Sequence, residues 1–384
     1  MALATRYPTG AARSPRNPGA PWRHLDIVLV ASVLCLTGVG LLMIYSSTRS
    51  KQAAAGLDPQ DYLKRQLLFA VLGLVVMAAI TLVDYRMLRD VAPVIGIVVV
   101  VALLAVLTRL GSAARGAHSW FQVGPFNIEP SEAAKIGFIL VLAAYLSAHR
   151  GDLGTAQIVT ALGLAAVPMV LIYLQPDLGT DMVFVATLMG LLLVAGAKPR
   201  HIAALTLLGA LGVLTVFQLG VLKEYQLDRL AAFLDPADDP QRSAYNLRQS
   251  QIAIAAGGVT GRGVFEGTQT NLSFVPEQHT DFIFTAVGEE LGFVGATTLL
   301  ALFGLVMWRT WRAAALAKDE FGMLICVGVL TMMLFQIFEN VGMTMGITPI
   351  AGIPLPFVSY GGSAMVSCFA AIGLVLNVHM RRYS

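Results

Sequence analysis

The chain has 384 residues, 56% of them hydrophobic and 13% charged, with a mean hydropathy of +0.71 and a net charge of +3. Soluble domains carry about 25% charged residues, so this composition excludes an ordinary water-soluble protein. The small, scattered positive charge gives no basis for nucleic-acid binding.

Residues 1–24 are polar, with Arg6, Arg13, Arg16 and Arg23 set among Pro and Gly, and read as a disordered cytoplasmic tail. The first apolar run is too long for a signal peptide and lacks a small-residue cleavage site, so it stays as a span. Ten apolar segments follow, at about 25–47, 64–83, 91–108, 131–148, 156–174, 179–197, 202–221, 282–307, 322–346 and 363–380. They predict an all-α integral membrane protein of about ten transmembrane helices over residues 25–384, with both termini on one side. Lys and Arg choose that side. With the N-terminus inside, the cytoplasmic loops and tail hold Arg86, Arg89, Arg150, Lys198, Arg200, Arg309, Arg312, Lys318, Arg381 and Arg382. The short outer loops hold only Arg49, Lys51, Lys64, Arg65, Arg109 and Arg115. One large loop between spans 7 and 8, residues 222–281, is then extracytoplasmic. Cys35, Cys326 and Cys368 all lie in apolar runs and read as small core hydrophobes, not as metal ligands.

Glu132 and Lys135 open the fourth span three residues apart, so their side chains share a helix face. Either a buried ion pair holds helices together there, or Lys135 holds an anionic group. Gln175-Pro176-Asp177-Leu178-Gly179-Thr180 turns the chain between spans five and six. Asp177 either caps the next helix or lines a polar cavity.

Within the long loop, Tyr245 to Ala256 reads as a short amphipathic helix at the interface. The glycines at 257, 258, 261, 263 and 267 read as flexible turns; with no preceding strand they make no dinucleotide or phosphate loop. The loop ends in Pro276-Glu277-Gln278-His279-Thr280-Asp281. Asp281 therefore stands where a polar segment re-enters the bilayer, either as an N-cap of the eighth span or as a general base.

Glu289 and Glu290 lie about two turns into that span, and at least one is expected to face the protein interior and pair with Lys135 or a loop arginine. Gln336, Glu339 and Asn340 share one face of the ninth span, where polar residues join helices. The tract Pro349 to Pro356 cannot be helical. It runs into Ser359-Tyr360-Gly361-Gly362-Ser363, which either starts a helix with a Ser cap or offers backbone N–H groups to an anion such as phosphate. No protease, hydrolase or ATPase motif is present.

These segments resemble a known family. IYSST near Ser46, the PSE of Pro130-Ser131-Glu132, QPDLGT from Gln175, PEQHTDFIF from Pro276, GEELGF from Gly288 and GIPLPFVSYGGS from Gly352 are similar to those of the SEDS (shape, elongation, division and sporulation) membrane glycosyltransferases. The run from Asp235 to Ala253 and the GTQT after it resemble the rod-shape branch more than the division branch.

The resemblance implies that lipid II is both donor and acceptor, and that undecaprenyl diphosphate leaves as a β-1,4 bond forms. It implies that Asp281 is the essential acid and the catalytic base. Lys135, Arg229, Arg242, Arg248 and Arg262 are candidates for the diphosphate, with Glu132, Asp177, Ser359, Tyr360, Gly361, Gly362 and Ser363 in the same substrate site. Glu289, Glu290, Gln336 and Asn340 become supports of its wall. A divalent cation, Mg or Mn, could share the charge, though no ligand set is evident. The implied partners are a class B penicillin-binding protein (a transpeptidase), the elongation-complex proteins and membrane lipid. Two positions depart from the family pattern: Glu129 stands where Gln is common, and Ser119 where a basic residue often precedes Trp120. A lipid II flippase is the rival reading, with intramembrane charges serving a transport path.

Overall fold

The computed structural model describes residues 24–109, 111–114, 117–124, 126–149, 151, 153–218, 233 and 242–383. The expected tail up to residue 23, most of the stretch from Lys223 to Asp239, and Arg229 lie outside the described residues, as does the side chain of Arg242.

Twelve helices are present among the described residues. They are α1 (Ile27–Ala54), α2 (Asp61–Leu82), α3 (Tyr85–Val106), α4 (Pro130–Ala148), α5 (Thr155–Tyr173), α6 (Leu178–Val194), α7 (Pro199–Gln218), α8 (Arg242–Gly257), α9 (Thr268–Asn271), α10 (Ile283–Ala315), α11 (Glu320–Met345) and α12 (Gly362–Met380). Each of the ten expected apolar segments coincides with one of them. Eight (α1 to α5 and α10 to α12) are long and apolar enough to cross a membrane. The apolar α6 has 17 residues and α7 has 20. This is a multi-pass membrane protein.

Beyond the helices, the loop before α4 folds into a three-stranded antiparallel sheet: β1 (Ser112–Ala114), β2 (Ala117–Val123) and β3 (Phe126–Ile128). Its strands pair in register, Phe121 with Ile128 and Ala113 with His118, which satisfies backbone groups that a bare loop would leave to solvent.

The lipid-facing and buried surfaces follow from packing. α12 is nearly all buried, while α2, α3, α5 and α7 turn large apolar side chains outward, among them Ile97 (65% exposed) and Leu207 (62%). Apolar residues on the outside are expected where lipid is the solvent. Small residues let the inner helices approach closely. A Cβ at Gly73 of α2 would stand 2.4 Å from the Phe369 ring of α12, and one at Gly328 of α11 would stand 2.6 Å from Ile139 of α4. Cys326 and Cys368 are buried as expected, whereas Cys35 lies on the exposed side of α1.

Charged residues mark the two ends of the bundle. At one end Asp26 is ion-paired with Arg309 (2.6 Å), Asp84 with Arg381 (3.6 Å) and Asp319 with Arg86 (3.6 Å), tying α1, α3, α10, α11 and α12 together. The hairpin, the 175–177 turn, α9 and the Asp281 loop lie at the other end.

The glycines of the loop before α10 serve a break in that helix. α10 is broken at Gly292 (φ 66°, ψ −164°), so neighbouring backbone groups lose their intrahelical partners. Residues 258–263 supply replacements. Arg262 and Gly263 donate to the carbonyls of Glu289 and Glu290 (3.0 and 3.1 Å), and Phe293 and Val294 donate to those of Gly258 and Val259 (2.9 and 3.0 Å). A Cβ at Gly257 would stand 1.9 Å from the Gly288 carbonyl oxygen, and one at Gly261 2.1 Å from that of Glu290. Gly257 and Gly261 thus permit backbone-to-backbone contact, while Gly258, Gly261 and Gly263 take the positive φ (55°, 82° and 106°) expected of glycine turns.

Candidate active site

Asp281 sits in a compact turn rather than at a helix cap. The Glu277 carbonyl accepts the N–H groups of Thr280, Asp281 and Phe282 at 3.1 to 3.4 Å. The residue preceding α10 is Phe282, with no side-chain cap, so the N-cap reading of Asp281 is not what the chain adopts. The residues around it are anchored inward. Gln278 donates its amide to Thr270 and Thr285 hydroxyls, both at 3.0 Å, and Phe282 packs with Ala253 and Val275. Asp281 is left half-buried at the surface. Asn340 fixes its backbone: its Nδ2 donates to the carbonyls of Asp281 and Ile353, each at 2.8 Å.

The tract after α11 forms the floor beside this loop. Non-helical backbone at this depth is tolerated only where protein satisfies it. Here Ser359 Oγ accepts from the Leu355 N–H (2.9 Å), and Gln66 of α2 spans the tract. Its amide donates to the Ser359 carbonyl and accepts from the Gly361 N–H, both at 3.2 Å. The Tyr360 N–H donates to the His279 carbonyl (2.9 Å), joining the tract to the Asp281 loop. The amides of Tyr360 and Gly361 thus have protein acceptors, which weighs against the anion-nest reading at those two positions. Gly40 and Gly179 let α1 and α6 close on the tract; a Cβ there would lie 2.6 Å from the Phe357 carbonyl oxygen and 2.7 Å from that of Ala351.

Three rings cluster where tract and loop meet. Tyr62, His279 and Tyr360 have centroids 4.9 to 5.6 Å apart. Burial pushes the Tyr360 phenol above its ordinary range. Tyr62 and Gln66 were not singled out from sequence. The available signal was a lone glutamine inside an apolar span, expensive unless paired.

A second group lies at the other end of the same tract. Lys135 Nζ stands 2.8 Å from Glu132 Oε1, with the two side chains only 4% and 6% exposed. Ser367 of α12 donates to the Glu132 carbonyl (2.8 Å). Ser363 does not cap its own helix: its Oγ accepts the Glu129 N–H (2.9 Å) at the head of α4. The Glu129 carboxyl accepts from Ser131 (2.9 Å) and from the Trp120 indole of β2 (3.3 Å). Burial, followed by the charges of Glu132 and Asp177, pushes Glu129 up to about 8. Asp177 also caps α6, accepting the Thr180 N–H at 3.0 Å. Ser119 donates to the Gln175 carbonyl (3.3 Å), closing the hairpin over the 175–177 turn.

The remaining candidates are placed elsewhere. Glu289 pairs with neither Lys135 nor an arginine among the described contacts. Its carboxylate takes the N–H groups of Gln269 (2.8 Å) and Thr270 (2.9 Å) and the Thr270 hydroxyl (2.7 Å), holding the start of α9. Glu290 accepts from Ser46 of α1, with the Arg49 guanidinium nearby. Arg49 itself donates to the Phe265 carbonyl (2.7 Å). Lys135 is already committed to Glu132, which is the physical reason it pairs with neither Glu289 nor Glu290. Both glutamates precede the break at Gly292, so they face the loop rather than the middle of a continuous span. Arg262 turns to the Ala256 carbonyl (3.1 Å), and Arg248 is exposed on α8. Gln336 is buried against Pro354, Leu355 and Ser359, beneath the tract. Among the described residues, no group of three or more His, Cys, Asp or Glu side chains is arranged to hold a metal ion.

Residues 27–384 match the model of the cell cycle protein family FtsW/RodA/SpoVE. The chain belongs to this SEDS family. The SEDS protein is 37% identical to stage V sporulation protein E of Bacillus subtilis over 362 residues, which cover 94% of this chain and 97% of the relative. It is 35% identical to the peptidoglycan glycosyltransferase MrdB of Escherichia coli K12, covering 94% of each chain. It is also 35% identical to the peptidoglycan glycosyltransferase RodA of Treponema pallidum, covering 93% and 98%. Its fold matches the crystal structure of the rod shape determining protein RodA of Thermus thermophilus, with a TM-score of 0.70 and 28% identity over 95% of this chain and all of that one. A chain from a peptidoglycan synthase complex, described as coordinating polymerization and crosslinking, matches with a TM-score of 0.79 and 31% identity, covering 94% and 99%.

Proposed function

We propose that this SEDS protein is a peptidoglycan glycosyltransferase that joins lipid II units into β-1,4 glycan strands and releases undecaprenyl diphosphate. The observation that carries the reading is the Asp281 loop, hydrogen-bonded through Tyr360 to a tract that ends at Ser363 against the head of α4, the helix that carries Lys135. A base and a cation on elements joined by hydrogen bonds suit a displacement in which a hydroxyl is deprotonated and an anion departs.

Asp281 accepts the proton of the acceptor GlcNAc 4-hydroxyl as its oxygen attacks the donor anomeric carbon. The bond to the diphosphate oxygen breaks, the electron pair leaves with the diphosphate, and the configuration inverts. Lys135, backed by Glu132, offers positive charge to the leaving group. A divalent cation, Mg or Mn, would add to that charge if bound. The Tyr62, His279 and Tyr360 rings give a sugar an apolar face to rest on. The excess of Lys and Arg at the opposite end supports an inward-facing N-terminus and an Asp281 end outside the cytoplasmic membrane. The rod shape determining protein among the structural matches supports a role in elongation and shape, and the peptidoglycan synthase complex supports a crosslinking partner, here assigned as a class B penicillin-binding protein.

The test is a gel assay of labelled lipid II with the purified protein and its transpeptidase-blocked partner. Wild type is expected to form polymer and Asp281→Asn to form none. Equal polymer from both overturns the base assignment. No polymer from either, with lipid II translocated across vesicles, favours the flippase reading.

A further inference from the structure

We propose that the end of the bundle opposite Asp281 holds the phosphodiester of an anionic phospholipid between Arg312 of α10 and Arg382 just after α12, with Trp308, Trp311 and Tyr383 seated at headgroup level. The proposal is independent of the polymerase reading.

The acids at this end are taken by other cations. Asp26 pairs with Arg309 (2.6 Å), while Asp84 pairs with Arg381 and Asp319 with Arg86 (each 3.6 Å). Among the described residues, neither Arg312 nor Arg382 has a carboxylate partner. Residues 1–23, which lead into α1, contain four arginines and no Asp or Glu, so their side chains add no counter-charge.

The two arginines are linked by a short run of contacts. Arg309 and Arg312 both lie over the Trp308 ring, 5.5 and 5.9 Å from its centroid. Arg309 reaches Asp26, and Asp26 faces His379 Nε2 at 4.0 Å. Arg382 folds back to donate to the His379 carbonyl (3.0 Å) and lies over the Tyr383 ring at 4.8 Å. Three arginines thus gather around one carboxylate. The buried Nε of Arg382 and Nδ1 of His379 also have no hydrogen-bond partner in the protein. Buried polar groups without partners are rare, and a charged donor that lacks an acceptor favours an anion beside it.

The surroundings favour a lipid as the source of that anion. Trp308 (49% exposed), Trp311 (57%) and Tyr383 (69%) stand open beside the charge, at the end of helices apolar enough to cross a bilayer. Amphipathic rings settle at headgroup level, and clustered arginines there attract anionic lipid. A diffusible phosphate would use the arginines and leave the rings without a role.

The experiment reads tryptophan quenching in a full-length protein whose Trp22 and Trp120 are replaced by Phe, so that emission comes from Trp308 and Trp311. The protein is placed in nanodiscs of phosphatidylcholine, and a rising fraction of brominated phosphatidylglycerol or brominated phosphatidylcholine is added. Phosphatidylglycerol is expected to reach half-quenching at the lower fraction. Arg312→Gln and Arg382→Gln are each expected to reduce that preference about fivefold, and the pair to abolish it. Arg312→Lys with Arg382→Lys keeps the charge and is expected to keep most of the preference. Arg200→Gln, which removes the same charge from the head of α7, is expected to leave it unchanged. Equal quenching by the two lipids overturns the proposal, as does a preference undiminished in the Gln pair. Loss in the Lys pair as well as the Gln pair would assign the effect to altered packing and overturn it too. A further arm replaces chloride with inorganic phosphate at constant ionic strength. An unchanged preference supports the lipid, and a preference erased by phosphate reassigns the site to a free anion.

Discussion

The side-chain amide of Asn340 donates at 2.8 Å to the carbonyl of Asp281 and at 2.8 Å to that of Ile353. One buried amide in α11 therefore sets the distance between the acidic loop and the irregular tract. Asn340→Ala removes both bonds and frees the loop to shift. Since small misplacements of a catalytic group cost about 100-fold, polymerisation is expected to fall 10- to 100-fold with lipid II binding kept within a few-fold. Lipid II binding and gel-based rates measured on the same preparation check this; an unchanged rate would separate Asn340 from the site.

Lys135 and Glu132 can be tested as a stabilising pair and as a binding pair separately. Lys135→Met alone leaves a buried carboxylate without its partner and is expected to cost about 3–5 kcal/mol. The double variant Lys135→Met, Glu132→Met removes both charges and is expected to recover most of the melting temperature in detergent while polymer synthesis stays lost. Recovery of synthesis along with stability would assign the pair to packing alone.

Glu289 holds two backbone amides and a hydroxyl of α9. Glu289→Ala leaves those buried donors without an acceptor, at about 1–3 kcal/mol each. Glu289→Gln keeps one good acceptor and is expected to lose about half as much. Thermal unfolding of the two variants in detergent gives the order, and equal losses would contradict it.

Gly257 and Gly163 separate close approach from helix propensity. Gly257→Ala places a Cβ 1.9 Å from the Gly288 carbonyl oxygen, so it is expected to disrupt the α8–α10 contact and lower the yield of folded protein. Gly163 in α5 has nothing within 4 Å of such an atom. Gly163→Ala is expected to be neutral or to stabilise by about 1 kcal/mol. Size-exclusion recovery and melting temperature distinguish the two.

The pH dependence of stability follows from Glu129. Its folded pKa, about 8, lies above the unfolded value of 4.5. The unfolded chain thus releases this proton first, and the group costs stability progressively as pH rises from 4.5 to about 8. Glu129→Gln does not titrate. Relative to wild type it is expected to gain stability across that interval, level off above it, and show no gain near pH 4. A melting-temperature difference that does not change with pH would contradict this.

Much of the fold was legible because a bilayer admits few solutions. Long apolar runs at this composition become spanning helices whatever their neighbours, and all ten expected segments are helices here. Local spacing likewise made the Glu132–Lys135 contact readable, since residues three apart on a helix must meet. The three-stranded hairpin and the role of Gln66 were not readable. The strands are short, and a single glutamine does not reveal which distant backbone it will bind. The break at Gly292 was hidden for a related reason: a glycine in an apolar run is compatible with a straight helix until a loop supplies the lost hydrogen bonds.

The sequence by itself determined that this is a helical membrane protein, and it singled out Asp281 as a carboxylate at the edge of an apolar run, because charge in lipid is costly enough to stand out. Tertiary structure decided what surrounds that carboxylate. It put Asn340 and Tyr360 against its loop, gave Lys135 to Glu132 and not to Glu289, and drew Glu129 under Trp120. Those pairings join residues far apart in the chain, and only helix packing in three dimensions chooses among them.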